Sequence, residues 1–168
     1  MTAEELIRLL DLRPLPVEGG FFRETWRSRE SIPKSGLPTR YTGPRSFGTA
    51  IYYLLTPEAF SALHRLPGDE MFHFYLGDPV LMLQLHPDGR SEIVTIGPDI
   101  VHGEQVQIVV PAGTWQGTLL KAGGRFALLG TTMAPGYDPE DCELADPQRL
   151  IHDYPDRRDL ILRLTQPR

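Results

Sequence analysis

The residues of this chain with the most adaptable chemistry are its five histidines, His64, His73, His86, His102 and His152. Imidazole titrates near neutrality and ligates metals. His64 lies in FSALHRL, where strand parity sets Phe60, Ala62, His64 and Leu66 on one face. Three apolar neighbours direct that face inward, and a buried histidine needs a hydrogen bond, a metal or a functional cavity. Glu70 opens the next run, EMFHFYL, and shares its face with Phe72, Phe74 and Leu76. An acid heading an apolar face is costly unless it is paired or used. Adjacent strands flanking a short turn could join His64 and Glu70 as a metal half-site or as a carboxylate-oriented general base. The plainer alternatives are a satisfied core histidine and a glutamate in water at a strand mouth. His73 has the opposite parity and reaches the same side only through a bulge. His86, just before a Pro-Asp-Gly turn, is expected to be exposed. His102, in a polar loop, and His152, in a C-terminal helix, carry no chemical signal.

Trp115 and Gln116 follow a Pro-Ala-Gly turn. Gln116 both donates and accepts, which suits a sugar or an amide, and Trp115 either stacks on a ring or fills core. Tyr53 and Gln84 lie on flanking strands, with their facing open. Arg23, Glu24 and Arg45 either reach a pocket mouth or form solvated ion pairs.

The elements that must position these residues are mostly strands. Short β-rich runs recur at Phe21–Arg27, Phe47–Leu55, Phe60–Leu66, Glu70–Leu76, Val80–His86, Arg90–Ile96, Gln105–Val110, Trp115–Lys121 and Arg125–Thr132. Turn clusters such as Pro67-Gly68-Asp69 and Pro87-Asp88-Gly89 separate them, a pattern of sandwiches and barrels. Residues 2–10 read as a helix capped by Thr2, with Glu4 and Glu5 at the positive end of its dipole. Residues 28–46 read as an exposed loop, and residues 146–164 as a helical tail. The expected organisation is a single domain over 1–168, with the barrel over about 20–135.

Composition narrows the function classes. The formal charge is −5 and Lys34 and Lys121 are the only lysines, so no basic face suits nucleic acid. No apolar run approaches the ~20 residues of a membrane span, the N-terminus lacks a secretory pattern, and a cytoplasmic location is expected. Cys142, the one cysteine, makes no internal disulfide and no thiolate zinc site alone.

LHRLPGDEMFHFYLGD resembles the first cupin motif, an H-x-H followed by Glu and, seven residues on, Gly. Glu70 and Gly77 match, His64 stands at the second histidine with one extra residue in the turn, and Ala62 replaces the first. VVPAGTWQ resembles the second motif, with Pro111 and Gly113 in place and Gln116 where a histidine belongs. VEGGFFRETWRS, LHRLPGDEMFHFYLGDP and MAPGYDPEDCELAD together resemble the cupin-5 family, from about Leu6 to about Leu150. That resemblance implies an all-β fold with a few flanking helices, a double-stranded β-helix or jelly-roll barrel, and a homodimer; strand FFRETWR is available for edge pairing. It implies no settled activity.

The leading expectation is a cupin that binds a small molecule, sugar-like in one reading, in a polar pocket lined by His64, Glu70, His73, Tyr53, Gln84, Trp115 and Gln116. A second reading is a metal-independent sugar-nucleotide epimerase with His64 as base beside Glu70. A third is a metal-dependent dioxygenase or isomerase using His64, Glu70, His73 and Gln116. With two ligand positions substituted, no cofactor is expected and a divalent ion would bind weakly at most.

Overall fold

Thr2 sets the start of the first helix, α1 (Ala3–Leu9): its hydroxyl accepts from Glu5 N–H, and the Glu5 carboxylate accepts from Thr2 N–H. The computed structural model describes residues 1–166. Thirteen strands follow α1: β1 (Arg13–Pro14), β2 (Phe21–Arg27), β3 (Ser31–Ile32), β4 (Arg45–Ser46), β5 (Thr49–Leu55), β6 (Ser61–Arg65), β7 (Glu70–Gly77), β8 (Val80–Leu85), β9 (Ser91–Ile96), β10 (Gln107–Val110), β11 (Trp115–Leu120), β12 (Ala127–Met133) and β13 (Glu143–Leu144). Helices α2 (Pro147–Asp153) and α3 (Arg158–Leu164) follow β13.

The long strands form two sheets, ordered β1-β2-β5-β12-β7-β10 and β13-β6-β11-β8-β9, and every ladder within them is antiparallel. Alternation decides what each buries. In β5, Ile51, Tyr53 and Leu55 point between the sheets, while Tyr52 and Leu54 point out against Leu6 and Leu12. In β8 and β11, Val80, Met82 and Leu120 turn inward, while Leu83, Leu85, Trp115 and Leu119 meet Leu150, Ile161 and Leu164 of α2 and α3. Gly117 lets α3 approach, because a Cβ there would lie 3.1 Å from Leu164 and from the Leu63 backbone. The result is a jelly-roll sandwich with one core between the sheets and one apolar layer outside each.

Several details depart from the sequence expectations. Leu76 is expected inward with Glu70, but it packs outside, under α1. The cause is a bulge: Leu128 pairs with Leu76 and Leu129 with Phe74, which leaves Tyr75 as an extra residue and reverses the parity beyond it. The C-terminal tail forms two helices, interrupted by a 3-10 turn at Pro155–Arg157, where proline ends the first. Residues 28–46 contain the two-stranded ribbon β3–β4. They are tied down where the buried Arg45 guanidinium grips Asp141, Nε donating to Oδ2 at 2.7 Å and the second nitrogen to Oδ1. No helix among the described residues is long and apolar enough to cross a membrane.

Candidate functional site

Glu18 is held by the turn that leads into β2. Gly19 and Gly20 have φ of 86° and 70°, the left-handed region that favours glycine. A Cβ on Gly20 would lie 2.8 Å from the Tyr53 ring. The turn is fixed on both sides: Tyr53 Oη donates to the Gly19 carbonyl, and Ala62 N–H, in the opposite sheet, donates to the Glu18 carbonyl at 2.7 Å. The Glu18 carboxylate is thereby buried between the sheets, where it accepts from the Tyr137 phenol at 2.8 Å. Tyr137 is positioned in turn by its own N–H, which donates to Thr49 Oγ1, and by its carbonyl, which accepts from Arg27.

Glu70 enters from the first residue of β7. It and Glu18 line one cavity of about 270 Å³. Most of the remaining wall is apolar, from Leu15, Val17, Phe22, Ile51 and Met133, with Thr49, Thr131, Glu24 and Arg27 completing it. Burial pushes the Glu70 carboxyl up to about 8; the nearby Glu18 carboxylate adds to the shift, and a hydrogen bond with Thr131 opposes it. Burial, and then the Glu18 charge and hydrogen bond, also raise the Tyr137 phenol far above its ordinary value, so it is a donor throughout the physiological range.

Behind this cavity lies a second row of polar groups. His64 Nδ1 lies 2.7 Å from the Ala62 carbonyl and donates to it. The Gln116 amide nitrogen lies 3.0 Å from His64 Nε2 and 2.9 Å from Glu70 Oε2, to which it donates, and so it links the two side chains. Glu18 Oε2 is 3.6 Å from the same Nε2. His64 and Glu70 therefore meet across the two sheets through Gln116, not as neighbours on adjacent strands; the carboxylate nearest the imidazole is Glu18. Gln116 Oε1 is buried without a partner.

The other sequence candidates lie elsewhere. His73 is on the outer face of the six-stranded sheet, bonded to Thr132 and Gln107 and stacked beside Tyr75; the bulge that would have turned it inward comes two residues too late. Tyr53 is core, its hydroxyl spent on Gly19. Gln84 is buried opposite Gln116 in the ladder but does not line this cavity. Trp115 has the opposite parity to Gln116 and lies in the helix-side layer, with Arg65 stacked 4.5 Å over its ring. Arg23 lies over Tyr52 on the outer face, whereas Glu24 reaches the cavity mouth paired with Arg27. His86 is buried, against expectation, because Glu92, Thr114 and Tyr154 all bond to it. His102 and His152 are exposed beside Asp99 and Asp153.

Sequence reasoning did not single out Glu18 and Tyr137. Their signal was available in the three segments that carry the family resemblance: VEGG supplies Glu18, GDEMF supplies Glu70 and PGYDP supplies Tyr137.

The donors do not fit a cupin metal centre. Ala62 offers none, and the Gln116 amide directs N–H groups into the space between His64 and Glu70 that an ion would need. Among the described residues no three His, Cys, Asp or Glu side chains converge as a metal site.

Known proteins agree with this geometry at the level of family and fold. A hypothetical protein from Leishmania major is 31% identical, with a TM-score of 0.85 over 99% of this chain and 100% of its own. A Shewanella oneidensis protein is 31% identical with a TM-score of 0.86, over 100% of this chain and 99% of its own. An uncharacterised Saccharomyces cerevisiae protein is 30% identical over 132 residues, which span 74% of this chain and 66% of that protein's length. Bacillus subtilis oxalate decarboxylase, at 15% identity and a TM-score of 0.53 over 92% of this chain and 38% of its own, shares the fold alone. The family model for the cupin superfamily group DUF985 matches residues 4–145, and with the jelly roll and both modified motifs in place, the chain belongs to that family.

Proposed function

We propose that this cupin binds a small organic molecule in the cavity between Glu18, Glu70 and Tyr137. The observation that carries the reading is the wall itself: apolar side chains surround a few convergent polar groups, one with a strongly perturbed pKa, as ligand sites commonly do. At a liquid-water share of about 30 Å³ per molecule, the space corresponds to roughly nine waters, or a ligand of on the order of ten non-hydrogen atoms. A fragment screen by thermal shift, run beside a Thr131→Phe variant that fills the cavity, tests this. Ligands of the cavity lose their effect in the variant; hits that all stabilise both proteins equally would place binding elsewhere.

Proton transfer without a metal is the second reading. Glu70 retains a proton near neutral pH and the Tyr137 phenol faces the same space, so an acid and a carboxylate base stand side by side. In that chemistry Glu18 and Glu70 touch the substrate, while His64, which does not line the cavity, positions Glu70 through Gln116. A sugar-nucleotide substrate is the weaker version, because Arg27, the one cation among the described residues of the wall, is already engaged by Glu24, Ser46 and the Tyr137 carbonyl.

A further inference from the structure

We infer that the cavity selects a small organic cation, a primary ammonium on an apolar body, over uncharged and anionic molecules of the same size. The inference rests on the cavity being a binding site and adds the charge of what it binds.

Two independent observations carry it. The first is missing countercharge. Glu18 and Glu70 are both buried, and among the described residues neither has a lysine or arginine within ion-pair distance. A buried carboxylate without a cation is costly unless something supplies one. The nearest basic side chain, His64, has its Nδ1 at the Ala62 carbonyl and its Nε2 at the Gln116 amide, and its ring does not line the cavity. The second is a shortage of donors. Tyr137 Oη is spent on Glu18, the Gln116 amide N–H groups on His64 and Glu70, and Arg27 on Glu24, Ser46 and the Tyr137 carbonyl. Against them stand the Glu18 carboxylate and the Glu70 carboxyl, with Gln116 Oε1 buried behind them without a partner. An ammonium brings one positive charge and three donors; a carboxylate or phosphate brings more acceptors and repulsion.

Binding also has a proton consequence. Glu70, pushed up to about 8, is largely protonated at neutral pH. A cation entering beside it favours the carboxylate, so the carboxyl proton leaves to solvent as the ammonium binds.

The test uses three ligands of nearly equal size, cyclohexylamine, cyclohexanol and cyclohexanecarboxylate, titrated at pH 7 into the full chain with labelled Ile, Leu, Val and Met methyls. The ammonium is expected to shift Ile51 and Met133 with at least tenfold tighter binding than the alcohol, and the carboxylate to leave them unmoved. Glu18→Gln should bring the ammonium to within about threefold of the alcohol. Calorimetry in buffers of different ionisation enthalpy should show proton release in the wild type and none in Glu70→Gln, which serves if Glu18→Gln does not fold. Alcohol or carboxylate binding as tightly as the ammonium at the same methyls overturns the inference and leaves the cavity standing as a site. An ammonium preference that survives Glu18→Gln overturns it too, as mere attraction to a chain of net charge −5. Cavity methyls unmoved by all three would overturn both the inference and the binding function beneath it.

Discussion

Tyr137 and Glu18 stand 119 positions apart, yet the phenol donates to the carboxylate at 2.8 Å between the two sheets. Tyr137→Phe keeps the ring and removes that donor, leaving a buried carboxylate oxygen unsatisfied. The expected cost is about 1–3 kcal/mol in urea denaturation at pH 7. A variant as stable as the wild type would show that the bond contributes nothing.

Glu70 makes stability depend on pH in an unusual direction. Its carboxyl is raised from 4.5 unfolded to about 8 folded, so between these values the folded state holds a proton that the unfolded state has lost. Its contribution is complete below about 4.5, falls by up to ~1.4 kcal/mol per pH unit across the window, and is gone above about 8. Glu70→Gln should remove that slope and leave the variant more stable than the wild type at pH 8. Parallel stability curves for the two proteins from pH 5 to 8 would contradict the shift.

His64→Leu strands the Ala62 carbonyl at one end of the ring and a Gln116 N–H at the other. A loss of about 1–3 kcal/mol is expected. Paired with Glu70→Gln in a double-mutant cycle, the effects should depart from additivity by at least about 0.5 kcal/mol, because one amide serves both residues. Strict additivity would mean that Gln116 does not couple them.

The Arg45–Asp141 pair joins two segments that carry little regular structure, and both side chains are buried. Asp141→Ala leaves a guanidinium buried without its partner, at an expected cost of about 3–5 kcal/mol in chemical denaturation. A loss below 1 kcal/mol would place the pair in the weak class of surface bridges.

An open edge makes a homodimer the expected assembly. β1 covers only Phe21 and Phe22, so among the described residues no strand neighbours β2 on that side from Arg23 onward, and Trp26 is more than half exposed there. Such edges are usually covered. Light scattering at micromolar concentration should give twice the 18.9 kDa chain mass; the monomer mass alone would refute a homodimer.

How much of this was legible in the sequence depended on the range of the signal. Alternation and turn residues are local, so Phe21–Arg27 is a strand over the span its sequence suggests, and Thr2 caps α1. The inward faces of His64, Glu70 and Gln116 follow from the same period of two. What alternation cannot show is which strand faces which. His64 and Glu70, six positions apart, belong to opposite sheets, and the acid beside the imidazole comes from Glu18, 46 positions upstream. The bulge at Tyr75 and the burial of His86 are likewise tertiary choices, made by pairing partners on β12 and by Glu92, Thr114 and Tyr154.

The extra residue at Tyr75 gives β7 two separate masters along its length. Before it, inward positions belong to the cavity and to Phe72 and Phe74; after it, Leu76 belongs to the seat of α1. Changes of ligand preference can therefore accumulate at one end of the strand while the helix docking at the other end stays under its own selection. Deleting the single residue would leave Phe74 opposite Leu129 and Leu76 opposite Leu128, each on its present face, and would remove only the local bend that separates the two halves.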